Sequence, residues 1–222
     1  MQLDAMLCDL DGTLLDTLTD LADAANRVLA EAGLPIHPLS AYRGFIGDGS
    51  RRLITRALPQ DRRNPDTVDA FLERFKADYG ANWKSATRPY PGIRELLQTL
   101  TRRGIPLAVV TNKPQEFAEC CLAHFFADVT FRAVRGQTGN RPLKPDPAPA
   151  LDAAAQLGVA PATCLMLGDS GVDMQTARGA GMLPLGASWG FRPVAELTAA
   201  GAAGIARHPR EVLEWFPRSE AP

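Results

Sequence analysis

Short apolar runs alternate with helical apolar patterns along most of the chain. The runs Ala5–Leu10, Ile105–Thr111 and Cys164–Asp169 are six or seven residues long and mostly apolar, which predicts buried strands. A helical pattern is expected at 93–103, a second one ends at about residue 124, a third spans 147–157 and a fourth ends at about residue 180. A short strand is expected near Val129. Alternation of this kind is typical of a parallel sheet covered by helices.

One long stretch, residues 16–84, interrupts the alternation. Apolar positions over 18–32 recur at spacings of three, four and seven residues, which predicts a helix that Gly33 ends. Another helix is expected after Ser50, and a third after Asn64, whose side chain is a good N-cap. Because no strand pattern intervenes, this stretch is predicted to be all-helical.

Chemically active side chains stand at the ends of the predicted strands. Asp9 and Asp11 end the first strand, Thr111 and Asn112 end the second, and Asp169 ends the last. In an open parallel sheet, ligands bind beyond the carboxyl ends of the strands. These five side chains are therefore expected to meet at one edge of the sheet.

Two further residues extend this set. Lys144 stands in the loop sequence LKPDP, and Asp173 follows Asp169 by four positions. Acids that are packed together repel one another unless a cation lies among them, and a shell of carboxylate, carbonyl and water oxygens suits Mg²⁺. Thr111, Asn112 and Lys144 can donate to a phosphoryl group held beside that metal. Asp173 has a second interpretation, as the cap of the following helix.

The spacing of Asp9 and Asp11 suggests a division of labour. Residues two apart on a strand share a face, and Gly12 lets the chain turn sharply away. A carboxylate can attack phosphorus and form an aspartyl phosphate, and a neighbouring carboxyl can protonate the leaving group and later deprotonate water. We interpret Asp9 as the nucleophile and Asp11 as the acid and base.

Length, charge and cysteine content narrow the function classes. The 222 residues fit one large domain or a domain with an insertion, and 24 Lys and Arg against 25 Asp and Glu predict neither a nucleic-acid partner nor an anionic membrane partner. Four irregularly spaced cysteines indicate reduced thiols. The first apolar segment leaves no room for a signal peptide, and no run reaches the roughly 20 apolar residues of a membrane span. We expect a cytoplasmic protein.

Four segments resemble the motifs of the haloacid dehalogenase superfamily, in the same order. They are DLDGT at 9–13, VVTNK at 109–113, KPDP at 144–147 and GDSGVD at 168–173. The resemblance implies a Rossmann-like α/β core with a mobile cap. A helical insertion between the first two motifs is typical of one cap class.

The resemblance also implies domain boundaries and residue roles. The core would comprise residues 1–15 and 85–222, and the cap residues 16–84. The implied metal ligands are Asp9, Asp11 through its carbonyl oxygen, and Asp169, with Asp173 orienting the outer shell of the metal. Thr111 and Lys144 would hold the phosphate.

Within the superfamily the chain is similar to the phosphoglycolate phosphatases, through the segments 47–58, 144–151 and 168–182. This resemblance implies a Mg²⁺-dependent phosphatase that acts on 2-phosphoglycolate. Arg51 follows a turn that resembles the cap loop of these enzymes and would bind the leaving group. Whether the protein is a monomer or a homodimer stays open.

Other functions remain as alternatives. A phosphatase of another sugar or acidic sugar phosphate, or a phosphosugar mutase of the same superfamily, would use the same two acids. The mutases carry a histidine where this chain has Leu21. Receiver domains, which accept a phosphoryl group on Asp, are near half this length and lack an acid in the position of Asp11. A calcium loop of the EF-hand type is disfavoured, because Leu14 and Asp20 stand where it needs Gly and Glu.

Overall fold

A computed structural model describes residues 2–139 and 141–217. The strands are β1 (Ala5–Cys8), β2 (Leu15–Asp16), β3 (Arg88–Pro89), β4 (Leu107–Pro114), β5 (Phe131–Gln137), β6 (Cys164–Gly168), β7 (Leu183–Ala187) and β8 (Gly204–Ala206). Within these residues six of the strands form a parallel sheet in the order β5-β4-β1-β6-β7-β8. The predicted α/β class is therefore confirmed.

Helices surround the sheet and continue in a separate group. They are α1 (Leu18–Glu31), α2 (Leu39–Phe45), α3 (Ser50–Ala57), α4 (Pro65–Asn82), α5 (Ile93–Arg102), α6 (Gln115–Phe125), α7 (Ala148–Leu157), α8 (Gly171–Gly179) and α9 (Val194–Ala199). Short 3₁₀ helices lie at Gln60–Arg62, Pro161–Thr163 and Pro209–Trp215. In the described part of the chain, no helix is both long and apolar enough to cross a lipid bilayer.

The central strand β1 explains why the sheet is buried on both faces. Its four residues are fully buried, and Met6 lies between Leu107 of β4 and Leu165 of β6. Alternate residues of β1 point to opposite faces, so that Met6 packs with α5 and α6 while Leu7 packs with α7 and α8. Strands covered on both faces read as continuous apolar runs, which is the pattern that predicted them.

The helices α1 to α4 form their own apolar cluster above the sheet. The chain leaves the sheet through β2 and returns through β3, which pair antiparallel. Beside this double crossing, the buried Asp20 of α1 accepts hydrogen bonds from the backbone N–H groups of Ala86 and Thr87 and from the Thr87 hydroxyl. The boundaries 1–15, 16–84 and 85–222 stay a prediction, and residues 1, 140 and 218–222 of that core lie outside the described ranges.

The N-cap at Asn64 is confirmed, since its side chain accepts from the Thr67 N–H at 3.0 Å. Several other elements differ from their sequence-based expectation. The helix α2 and the elements β7, α9 and β8 are not predicted by the sequence pattern, because all four are short and α2, β7 and β8 contain Gly or Pro that disguises their periodicity. The strand expected near Val129 begins at Phe131, and the first strand ends at Cys8, so that Asp9 lies just beyond it.

Candidate active site

Most of the predicted site residues meet where β1, β4 and β6 end. Asp9 and Asp11 follow β1, the central strand, while Asp169 follows β6 on one side. Thr111 and Asn112 lie in β4 on the other side. The polar groups come together because neighbouring parallel strands end at the same edge.

Lys144 links two of the acids. Its Nζ lies 2.7 Å from Asp9 Oδ1 and 2.7 Å from Asp173 Oδ1, and its side chain is 3% exposed. Burial alone lowers the pKa of Lys144, but the carboxylates of Asp173 and Asp9 outweigh burial and raise it above its ordinary value. Lys144 therefore stays protonated and holds Asp9 in a fixed orientation.

Asp9, Asp169 and Asp173 form a buried acidic cluster. Each offers a carboxylate oxygen, and these oxygens lie within 4.8 Å of one another. Burial raises the pKa of Asp9 to about 7, with Lys144 opposing the shift and Asp173 adding to it. Burial, together with Asp173 and Asp9, raises the pKa of Asp169 well above its usual value. The single ammonium of Lys144 thus leaves negative charge uncompensated, and a hard divalent cation such as Mg²⁺ fits these oxygen ligands.

Asp169 is held by two donors and crowded by two glycines. Its oxygens accept from the Thr13 hydroxyl at 3.0 Å and from the Phe191 N–H at 2.7 Å. A Cβ on Gly12 would lie 2.4 Å from Asp169 Oδ2, and one on Gly190 would lie 2.2 Å from Asp169 Cβ. Glycine is required at both positions, and Gly12 additionally has a φ of +91°.

Asp173 caps a helix and also belongs to the acidic cluster. Its Oδ2 accepts from the Ser170 N–H at 3.0 Å and from the Ser170 hydroxyl at 2.7 Å, while the Ser170 hydroxyl accepts from the Asp173 N–H. This capping box begins α8. Its Oδ1 is engaged by Lys144. This contact lets Asp173 position the ammonium of Lys144, and the role of Asp173 toward a metal stays a prediction.

Asp11 is held by a residue to which the sequence analysis gave no role. The Nζ of Lys113 lies 2.9 Å and 3.2 Å from the two oxygens of Asp11, and 2.8 Å from the hydroxyl of Tyr79 in α4. Burial alone lowers the pKa of Lys113, but Asp11 and Tyr79 raise it above its ordinary value. The sequence could have identified Lys113, because it directly follows Thr111 and Asn112. It could not have identified Tyr79, because its only feature in the sequence is its place on an apolar helix face.

The Asn112 side chain joins three parts of the site. Its Nδ2 donates to the carbonyls of Gly47 and Lys144, both at 3.0 Å, and its Oδ1 accepts from the Lys144 N–H at 2.8 Å. The amide is therefore fully used in fixing Lys144 and the loop before α3. The Thr111 hydroxyl accepts from the Lys113 N–H at 3.2 Å and still carries its own hydrogen. Phosphate binding by Asn112 and Thr111 stays a prediction.

Arg51 is the predicted site residue that the structure does not bring together with the others. It is exposed at the start of α3 and forms an ion pair with Asp69 of α4. It lines a surface groove with Gln137 and Thr138 rather than the cavity that contains Asp9. The role of Arg51 in binding the leaving group stays a prediction, and this arrangement does not support it.

A small cavity lies between the sheet edge and the helices α1, α3 and α4. Its polar floor includes Asp9, Asp11, Thr111 and Lys113. Its volume is about 40 Å³, room for a few water-sized groups. A sugar ring therefore requires a larger displacement of the overlying helices than a two-carbon group does.

Comparisons with known proteins agree over most of the chain. A family model described as haloacid dehalogenase-like hydrolase matches residues 6–187. A phosphoglycolate phosphatase from Pseudomonas putida is 37% identical over 195 residues, covering 85% of this chain and 72% of that protein. One from Haemophilus influenzae is 38% identical over 189 residues, covering 82% of this chain and 84% of that protein. The crystal structure of a predicted phosphoglycolate phosphatase from Haemophilus somnus matches with a TM-score of 0.89 and 30% identity, over 98% of this chain and 99% of that chain.

Proposed function

The chain belongs to the haloacid dehalogenase-like hydrolase family, and we propose that it is a Mg²⁺-dependent phosphatase that hydrolyses 2-phosphoglycolate to glycolate and phosphate. The observation that carries the proposal is the pairing of Asp9 with Lys144 at 2.7 Å, beside a second carboxylate, Asp11, that opens on the same cavity. A nucleophile, a phosphate-binding cation and an acid are what hydrolysis of a phosphoric monoester needs.

The hydrogen bonds of Asp9 support its role as nucleophile. Lys144 donates to Oδ1, and no donor among residues 2–139 and 141–217 engages Oδ2. That oxygen keeps its lone pairs for attack on phosphorus, which forms an aspartyl phosphate and releases the alcohol. The ammonium of Lys144 and the hydroxyl of Thr111 are placed to stabilise the phosphoryl oxygens in both steps.

Asp11 is the group that moves protons. It gives a proton to the departing glycolate oxygen and then takes one from the water that attacks the aspartyl phosphate, so that it ends in its starting state. Lys113 keeps its carboxylate facing the cavity. One acid therefore serves both halves of the reaction.

The carboxylates of Asp9 and Asp169, with the carbonyl oxygen of Asp11, would hold Mg²⁺. When bound, this ion neutralises charge on the phosphoryl oxygens and orients the group for attack. Asp173 contributes indirectly, because its carboxylate positions the ammonium of Lys144. Thr13 and the Phe191 backbone hold Asp169 in place.

Phosphoglycolate is proposed as substrate for two reasons. The similar proteins from Pseudomonas putida and Haemophilus influenzae are phosphoglycolate phosphatases. The cavity is also small and carries a cation, Lys113, as a short anionic leaving group requires. Where the mutases have a histidine, Leu21 contributes an apolar group to the cavity, which disfavours that alternative.

The test is a substrate comparison with purified protein in Mg²⁺. We expect kcat/KM for 2-phosphoglycolate to exceed that for p-nitrophenyl phosphate, pyrophosphate and glucose 1-phosphate. Excess EDTA should abolish turnover, and the Asp9→Asn variant measures contaminating phosphatase. Equal turnover of phosphoglycolate and p-nitrophenyl phosphate would refute the substrate assignment, and full activity in EDTA would refute the metal assignment.

We further propose that the reaction takes place in the cytoplasm, on a free small molecule. The four cysteines carry free thiols, which supports a reducing compartment. The site as described uses residues of one chain, so a monomer or a homodimer would carry it equally well.

A further inference from the structure

The ammonium of Lys113 lies between Asp11 and Tyr79 at the wall of the cavity. An ammonium carries three N–H groups. In the described part of the chain, its acceptors are the carboxylate of Asp11 and the hydroxyl of Tyr79. Lys113 also lines the cavity, so the N–H on the longer Asp11 contact, at 3.2 Å, can turn to a group that enters there while the contact at 2.9 Å still holds Asp11.

The hydroxyl of Tyr79 adds a second donor at the same point. Its oxygen accepts from Lys113 at 2.8 Å, so its own hydrogen points elsewhere. No acceptor for that hydrogen lies among the described residues, although Tyr79 is 2% exposed and lines the cavity. A buried hydroxyl normally has its hydrogen bonds satisfied, so an acceptor supplied by the substrate would complete this one.

Among the described residues, the rest of the cavity wall carries no positive charge. It combines the apolar side chains of Leu21, Ile46, Leu53, Phe75 and Phe117 with the uncharged residues Gly47, Gly49 and Ser50. The position beside Lys113 and Tyr79 is therefore where a negatively charged leaving group can be accommodated.

We propose that Lys113 and Tyr79 together recognise the carboxylate of the leaving group, as two adjacent donors that match its two oxygens. The proposal rests on the proposed function and assigns to this pair the selectivity that the sequence had suggested for Arg51. Because Tyr79 belongs to α4 and Lys113 to β4, the recognition point is assembled only when the helical cap lies against the sheet. Lys113 has a second effect, since it also positions Asp11.

The two effects separate when two substrates with matched leaving groups are compared. Ethyl phosphate and 2-phosphoglycolate both release a two-carbon alcohol, but only glycolate carries a carboxylate. Loss of Asp11 positioning lowers kcat for both substrates. Loss of carboxylate recognition raises KM for phosphoglycolate alone, so the ratio of the two kcat/KM values isolates it.

The experiment measures this ratio in the wild type and in Lys113→Met, Lys113→Arg and Tyr79→Phe. We expect Lys113→Met to reduce the preference for phosphoglycolate by about 10- to 100-fold, the effect of one lost hydrogen bond between charged groups. Tyr79→Phe should reduce it by about 10-fold. Lys113→Arg keeps the cation and should retain most of the preference. Lys84→Met, at an exposed lysine over Trp83, is the matched control and should change neither value.

The outcomes distinguish this proposal from the proposed function. If the wild type does not prefer phosphoglycolate to ethyl phosphate, the substrate assignment fails. If the wild type has the preference but Lys113→Met and Tyr79→Phe slow both substrates equally, the recognition proposal fails and Lys113 only positions Asp11. Thermal unfolding identifies a variant that does not fold, and Tyr79→Phe, which removes one oxygen atom, then provides the decisive ratio.

Discussion

Replacing Asp169 with Asn should stabilise the metal-free protein even though it removes a proposed metal ligand. The oxygens of Asp9, Asp169 and Asp173 lie within 4.8 Å of one another. At an effective dielectric constant of about 20, two unit charges at this separation repel by about 3.5 kcal/mol. The amide of the Asp169→Asn variant has one accepting oxygen, so one of the bonds from Thr13 and Phe191 is lost, at about 1 to 2 kcal/mol.

The free energy of unfolding in EDTA should therefore be about 2 kcal/mol higher for the variant than for the wild type. The difference is no larger because protonation of the acids limits the repulsion in the wild type. For a chain of this size, that difference raises the melting temperature by about 4 to 8 °C in EDTA. Mg²⁺ at a hundredfold excess over its Kd should stabilise the wild type by about 2.7 kcal/mol, which erases the advantage of the variant. The variant itself should respond weakly to Mg²⁺.

The assay is thermal unfolding at pH 7.5, in EDTA and in saturating Mg²⁺. Asp61→Asn, at an exposed carboxylate far from the cluster, is the control and should follow the wild type in both conditions. The reasoning is refuted if Asp169→Asn is less stable than the wild type in EDTA, or if it gains as much stability from Mg²⁺ as the wild type does.

Three further predictions follow from the same contacts. In EDTA, the free energy of unfolding should fall by about 4 kcal/mol as the pH rises from about 4 to about 7, because the folded protein holds a proton on Asp9, whose pKa is about 7, and the unfolded chain releases that proton near pH 3.8. Denaturant titrations should show that Asp9→Asn lacks this pH-dependent loss of stability, and an equal dependence on pH in the variant and the wild type would contradict the reasoning. Asp11→Asn should lower kcat by about 10²- to 10⁴-fold in steady-state assays, whereas Asp9→Asn should reduce it to background, and equal losses would contradict the division of roles. Asp20→Asn should lower the free energy of unfolding by about 2 to 4 kcal/mol, because three donors from Ala86 and Thr87 lose a charged acceptor; an unchanged melting temperature would contradict it.

Much of the fold was predictable because the central strands are buried on both faces. Runs such as β1 and β6 are almost wholly apolar, and a helix pattern follows each of them. The strands β7 and β8, at one side of the sheet, contain Gly or Pro and are only five and three residues long, so the local pattern does not distinguish them from loops. Their pairing with β6 and with each other depends on contacts that no local pattern reveals.

The site was predictable where chemistry coincides with a strand end, as at Asp9, Asp11 and Asp169. The contact of Tyr79 with the site was not predictable, because the direction of its hydroxyl depends on how α4 lies against β4. Arg51 was expected in the site from its loop, but α4 brings Asp69 beside it. Such pairings join residues that are distant in the sequence, and only the tertiary structure identifies them.

The most direct test of the account is to trap the phosphorylated enzyme. Wild-type protein mixed with 2-phosphoglycolate labelled in its phosphoryl group, quenched with acid within milliseconds and digested, should yield a label that is stable in acid and released by hydroxylamine, on the peptide that contains Asp9. In Asp11→Asn, where both steps are slowed, the label should form and disappear more slowly than in the wild type, and it should be absent in Asp9→Asn. Turnover of phosphoglycolate without any labelled protein, or a label on another residue, would contradict the proposed role of Asp9.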